Sequence, residues 1–169
     1  MRGVSSEYSR VALEAGSAAP DFDLPALVGG VKRRFHLGEE LEHGKVVLAF
    51  YPFNWESVSA HQMVQYQSER DRFAASDGRI VGVCVDSIMN TTQWEREIGP
   101  FDFPLCSDFW PHGEVSRSYG VLREAEPHAG ASDRAVFVID RGGKIAFRKI
   151  YSLHELPPVS ETFEALRRL

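Results

Sequence analysis

Glu56, Ser59 and His61 bring a carboxylate, a hydroxyl and an imidazole within six consecutive residues, the types that nucleophilic catalysis draws on. A serine nucleophile needs a positioned base and a third group to orient that base. Neither a GxSxG elbow nor a third partner accompanies Ser59, so the sequence does not support a hydrolase. The plain role for Ser59 is to help cap a helix by satisfying an orphaned backbone N–H. Cys84 and Cys106 are the other nucleophiles. Each lies inside an apolar run, where cysteine acts as a small hydrophobe with a raised pKa, and a redox role for the pair is the second reading. They show neither CxxC nor metal-type spacing, and His112, within Trp110-Pro111-His112, has no second ligand at metal spacing. No metal and no cofactor is expected.

These residues are carried by a regular alternation of elements. From Gly16, the segment through Pro20 and Pro25 is extended, because two prolines exclude helix. Residues 1–15 are polar and aperiodic, and are expected to form a flexible N-terminal segment ahead of a single domain over 16–169. Val28-Gly29-Gly30-Val31 reads as a hairpin turn and Phe35-His36-Leu37 as its second strand, followed by a polar stretch from Glu39 to His43. Val46-Val47-Leu48-Ala49-Phe50 is a continuous apolar run, the pattern of a strand covered on both faces. Met63, Tyr66, Arg70 and Phe73 recur at helical steps, predicting a helix from Ser59 to Phe73 whose first turn holds Ser59.

Ile80 to Val85 is a second buried strand. A helix from Asn90 to Ile98 follows, with Asn90 or Thr91 as its cap. Phe103 to Ser107 is a third strand, leading into a helix over Asp108 to Tyr119 with Pro111 in its first turn and Gly120 at its stop. Ala135 to Asp140, the turn Arg141-Gly142-Gly143 and Lys144 to Ile150 form a hairpin, and Pro157-Pro158 opens a last helix to about Leu169. The order predicts an α/β protein with a thioredoxin-like fold: a central mixed β-sheet flanked by helices, with an N-terminal β-hairpin extension.

A chain of 169 residues, 43% hydrophobic and 25% charged, has the makeup of one soluble globular domain. Its net charge is 19 − 24 = −5, and Lys32-Arg33-Arg34 is the longest basic run, so neither nucleic acid nor an anionic membrane is an expected partner. The first residues lack a secretory hydrophobic segment and no apolar run spans a bilayer. With two cysteines that lack the pattern of a disulfide framework, this sets the expectation of a cytoplasmic protein.

Four separated segments, Ala19-Pro20-Asp21-Phe22 with Leu24, Phe50-Tyr51-Pro52, Phe103-Pro104-Leu105 with Ser107-Asp108, and Arg134 leading into Phe137-Val138-Ile139-Asp140, together resemble the AhpC/TSA peroxiredoxins. Ser107 to Gly113 with Val115-Ser116 and Tyr119-Gly120-Val121 is most similar to the AhpE-type subgroup, which works with one peroxidatic cysteine. In the family that cysteine stands in Pro-x-x-x-Thr-x-x-Cys, at a helix start that lowers its pKa. The matching stretch here runs from Pro52 to Ser59, so the resemblance puts Glu56 at the threonine position and Ser59 at the cysteine position. Arg134 matches the arginine that, in the family, stabilises the thiolate and orients peroxide.

A serine oxygen cannot be oxidised to a sulfenic acid, so Ser59 cannot carry the cycle the resemblance implies. Glu56 opposes a neighbouring thiolate by like charge and, facing Arg134, supplies the missing counter-charge. The leading reading is therefore a degenerate, non-peroxidase member of the family acting as a binding or regulatory scaffold. The alternative is a working thiol peroxidase, either because Ser59 is an engineered Cys→Ser change or through Cys84 or Cys106. A change made only to remove the thiol would have left the threonine, and Glu56 weighs against it. A third reading is a non-redox binder using the pocket around Pro52, Glu56 and Arg134. The resemblance also implies a homodimer, with Phe53, Trp55, Phe109 and Trp110 as aromatic surface near the pocket, and, were the chain active, a thiol reductant and a small peroxide as partners.

Overall fold

The computed structural model describes residues 13–169. Most of the N-terminal segment expected to be flexible thus lies outside the described residues. Leu13, inside that expected segment, packs against the core. From Gly16 the chain is tied to the far hairpin, its N–H donating to the Ile145 carbonyl at 2.7 Å and that of Ala19 to Gly143 at 2.8 Å.

Seven strands form one mixed sheet. In chain order the elements are β1 (Asp23–Val28), β2 (Val31–His36), α1 (Leu37–Leu41), β3 (Lys45–Phe50), α2 (Ser57–Ser68), α3 (Arg70–Ala75), β4 (Gly78–Cys84), α4 (Ile88–Ile98), β5 (Leu105–Ser107), α5 (Glu114–Ser118), β6 (Arg134–Ile139), β7 (Ile145–Tyr151) and α6 (Val159–Arg167). Across the sheet the order is β2-β1-β5-β4-β3-β6-β7. β3, β4 and β5 run parallel, and β6 and β1 border them antiparallel. The alternation expected of the sequence is present, with the Gly29-Gly30 hairpin on one flank and the β6–β7 hairpin on the other.

The central strands are apolar on both faces because both faces are covered. Along β3, Val46, Leu48 and Phe50 enter one core cluster, with Phe35, Leu37, Tyr119 and Phe137. Val47 and Ala49 enter a second, where Met63 and Tyr66 of α2, Phe73 of α3, Trp94 of α4 and Phe163 of α6 pack. The two-residue period of a strand divides the run between two cores.

Several expected helices differ in extent. The predicted Ser59–Phe73 helix is two, α2 and α3, interrupted where Glu69 leaves helical geometry at φ −98°, ψ 9°. Its cap is Glu56 rather than Ser59, which lies in the first turn. α4 starts earlier than expected, capped by Ser87, whose Oγ accepts the Asn90 N–H. The expected Asp108–Tyr119 helix contracts to the five residues of α5. Gly113 lies at φ 68°, a left-handed conformation that favours glycine, and a Cβ there would stand 2.6 Å from the end of the Leu122 side chain. Asp108 instead accepts the N–H groups of Val115 and Ser116 with its carboxylate. The polar stretch after β2 holds the short helix α1.

Candidate functional site

The start of α2 sits where β3 ends, reached through a loop from Pro52 to Glu56. Pairing of Phe50 with Ala135 brings the first residue of β6, Arg134, beside that loop. Because Val136 and Val138 face the α2 layer, the same alternation turns Arg134 toward α2. Its side chain has no exposed surface.

A buried guanidinium must spend its donors on protein acceptors, and Arg134 does. Nη2 reaches Glu56 Oε2 at 2.7 Å and the Leu153 carbonyl at 2.8 Å. Nη1 reaches Ser59 Oγ at 3.2 Å and Gln62 Oε1 at 3.0 Å, and Nε donates to the same Leu153 carbonyl at 3.1 Å. Gln62 passes the chain on to the Tyr66 hydroxyl at 3.0 Å.

Glu56 is the hub. Its Oε1 accepts the Val58 N–H at 2.9 Å, while Oε2 accepts the Ser59 N–H at 2.8 Å and the Ser59 hydroxyl at 2.7 Å in addition to Arg134. The carboxylate thus takes orphan donors of the helix N-terminus, where negative charge is favoured. Burial pushes its pKa up, but the Ser59 hydroxyl, the Val58 N–H, Arg134 and the Ser59 N–H outweigh that, leaving it below the ordinary 4.5. A carboxylate held this way is a poor base, and Ser59 spends its proton on it. His61 is exposed, whereas Ser59 is fully buried. The arrangement is not that of an activated serine.

Beside Glu56 lies a recess of about 20 Å³ lined by Pro52, Phe53, Glu56, His128, Leu153 and His154. That is room for about one water-sized molecule. The Phe53 ring meets His128 at 5.0 Å. Trp55, Phe109 and Trp110 are exposed, and His112 is engaged with the Gly130 carbonyl at 2.7 Å.

The two thiols are not bonded to each other, and Cys84 Sγ lies 3.6 Å from Asn54 Oδ1 in the site loop. β4 and β5 are neighbours, but Cys106 pairs with Val83 and Cys84 with Ser107, so the cysteines occupy opposite faces and different cores. Both are free and fully buried. Burial, then the charge of Asp86, pushes Cys84 up to about 12, and burial, then Cys84, holds Cys106 well above the ordinary thiol range. Neither is a thiolate near neutral pH.

Gln62 and the Leu153 carbonyl are members of the centre that sequence reasoning did not single out. Gln62 had a signal, being one helical step from Ser59; the carbonyl had none. A second network, also unanticipated, pins the site loop from behind. Buried Asn54 donates its N–H to Asp86 Oδ2 at 2.6 Å and its side-chain amide to Thr91 Oγ1 at 2.9 Å, and accepts from the Tyr51 hydroxyl at 2.9 Å. Among the described residues no three His, Cys, Asp or Glu side chains gather as metal ligands, and no helix is long and apolar enough to cross a membrane.

The layered mixed sheet is shared with solved peroxiredoxins of thioredoxin-like fold. Mycobacterium tuberculosis AhpC superposes with a TM-score of 0.81 at 24% identity over 93% of this chain and 98% of that one. The reduced 2-Cys peroxiredoxin of Plasmodium vivax superposes at 0.82 with 23% identity, over 90% and 80% of the two chains. The family model of the AhpC/TSA family matches residues 15–148, and the chain belongs to that family. Alkyl hydroperoxide reductase E of M. tuberculosis is 34% identical over 139 residues, spanning 82% of this chain and 86% of the relative. Peroxiredoxin-2 of Bos taurus is 34% identical over 159 residues, 90% and 75% of the two.

Proposed function

We propose that this chain is a peroxiredoxin-family protein without peroxidatic chemistry, acting as a binding or regulatory scaffold. The observation that carries this reading is the Glu56 carboxylate, which accepts the α2 N-terminal N–H groups and the Arg134 guanidinium at 2.7 Å. Those are the donors a peroxidatic thiolate at position 59 would need for its stabilisation. With Ser59 in the cysteine position, as the family motif aligns it, no sulfur is present to be oxidised there. Cys84 and Cys106 are poor substitutes, buried and protonated. The small recess beside Pro52 and Glu56 leaves little room for a larger ligand, which favours recognition by the outer surface over the non-redox binder of the old pocket.

The same reading places the scaffold in the cytoplasm as a homodimer. Free cysteines fit a reducing compartment, and the exposed Trp55, Phe109 and Trp110 supply aromatic surface of the kind interfaces use.

Brief exposure to near-stoichiometric hydrogen peroxide, read by intact mass and peptide mapping, tests the loss of activity. The expected result is an unmodified chain. Rapid gain of oxygen on Cys84 or Cys106, reversed by thiols, overturns the reading in favour of an active peroxidase.

A further inference from the structure

Lys32-Arg33-Arg34, the longest basic run of a chain whose net charge is −5, lies in β2, the outermost strand at one end of the sheet. At the other end the chain covers part of its own edge. There, at the start of β7, the Ile145 carbonyl accepts the Gly16 N–H and the Ile145 N–H donates to Ser17. β2 has no such cover. Val31 to Arg34 are all exposed, and among the described residues their backbone pairs only with β1.

The hairpin fixes which backbone groups point outward. The Leu37 N–H donates to the Phe22 carbonyl at 3.0 Å, so bonded pairs recur every second residue from there: Leu24 with Phe35, Ala26 with Arg33, and Val28 with Val31. That series closes on Gly29 and Gly30, both at positive φ, 55° and 79°, as a two-residue hairpin turn requires. Lys32 and Arg34 fall in the unbonded pairs, and their N–H and C=O groups face away from β1 into solvent.

Charge marks the same edge. Arg34 is answered within the hairpin by Asp23 at 2.7 Å. Lys32 and Arg33 stand across from Leu27 and Ala26, which carry no charge, and neither enters an ion pair among the described residues. Being consecutive, they project from opposite faces of the strand. Charges of one sign keep like edges apart, and a second β2 laid antiparallel here would set cation against cation. A strand carrying acids meets the opposite condition.

We propose that the β2 edge is a docking site for an extended acidic segment of a partner protein, added antiparallel as a further strand of the sheet. Backbone bonds to Lys32 and Arg34 hold the segment, and two consecutive acids, opposite Lys32 and Arg33, select it. β1, β5 and β4 separate this edge from β3, and the site is independent of the role proposed for Glu56.

The probe is the blocked peptide acetyl-Thr-Glu-Glu-Val-Thr-amide, titrated into the whole 15N-labelled chain at pH 7 and low salt while amide shifts are recorded. Laid antiparallel, its first Glu falls opposite Arg33, its second opposite Lys32 and its Val opposite Val31. The expected result is a saturable shift of the Lys32 and Arg34 amides. N-methylation of the second Glu removes the N–H that the Lys32 carbonyl accepts and sets a methyl against the edge, which should weaken binding at least ~10-fold. On the first Glu, whose N–H points away from β2, it should change affinity by less than ~2-fold. Lys32→Glu with Arg33→Glu, at two exposed positions, should reject this peptide and bind the one with Lys in place of both Glu. If that chain does not fold, Arg33→Gln alone should weaken binding severalfold. No saturable shift, equal effects of the two N-methyl groups, or unchanged affinity in the variants overturns the proposal. Equal binding of hexathymidylate, which carries charge without peptide groups, also overturns it by showing a general anion patch.

Discussion

Glu56 and Glu95 are two carboxylates drawn into the same protein, and burial pushes the pKa of each upward as its largest single influence. They end on opposite sides of the ordinary value. Glu56 is brought below it because two backbone N–H groups, a hydroxyl and Arg134 converge on its oxygens. Glu95 stays above it because only the Gly30 N–H answers its charge. Burial alone therefore says little about a charged group. The donors around it decide on which side of its ordinary value it ends.

The strongest way to break the contrast is to remove the donor that makes Glu56 what it is. Arg134→Leu leaves the Glu56 carboxylate, Gln62 Oε1 and the Leu153 carbonyl without their guanidinium, and loss of one partner of a buried pair costs about 3–5 kcal/mol. Urea unfolding of this variant should show that loss; a change under about 1 kcal/mol would mean the cluster relaxes onto water.

Removing the charge but not the shape is the next step. Glu56→Gln weakens the cap and the bond to Arg134, with an expected cost of about 2 kcal/mol at neutral pH. The pH dependence follows from the direction of the shift. Glu56 is lowered on folding, so its contribution is present above the ordinary value of 4.5 and is lost as pH falls through the lower folded value. Unfolding midpoints measured from pH 7 downward should therefore converge for wild type and variant in acid. Parallel curves would show that Glu56 is not ionised as described.

Ser59→Cys alone puts a thiol beside the Glu56 carboxylate, which raises its pKa by like charge and holds the donors it needs. Glu56→Thr with Ser59→Cys frees Arg134 and the helix N-terminus for the sulfur. The double variant should react with hydrogen peroxide at least ~10-fold faster than the single one, as one unit of pKa commands. Equal rates in stopped-flow measurements would remove Glu56 from its place in the proposed loss of activity.

How much of this was readable beforehand depended on whether the deciding contact was local. The run Val46 to Phe50 declared a central strand because its pattern alone shows two covered faces. The approach of Glu56 to Arg134 was anticipated from the positions that the motif assigns them. The rest of Arg134's partners were not, because a buried guanidinium collects whatever acceptors the fold supplies, and the Leu153 carbonyl has no side-chain signature. Cys84 and Cys106 illustrate the same limit: neighbouring strands were foreseeable, but only the register Val83 to Cys106 turns the two thiols to opposite faces. Glu95 did carry a signal that went unread. Thr91, Trp94 and Glu95 form the buried stripe of α4, and a charged residue on such a stripe is the exception that asks for a partner.

That exception also gives the smallest effect and the one of opposite sign. Glu95 is raised on folding, so the stability linked to it is fully present below the ordinary 4.5 and is lost as pH rises through the higher folded value. Glu95→Gln removes the ionisation and with it that loss. At neutral pH the variant should be more stable than wild type by about 1 kcal/mol, the scale of an uncompensated buried polar group, and this advantage should vanish in acid. Glu56→Gln and Glu95→Gln, the same change in chemistry at two buried carboxylates, are thus expected to move the neutral-pH midpoint in opposite directions. If both lower it, the Glu95 carboxylate is answered in the folded protein by a bound water or by Arg96 folded inward.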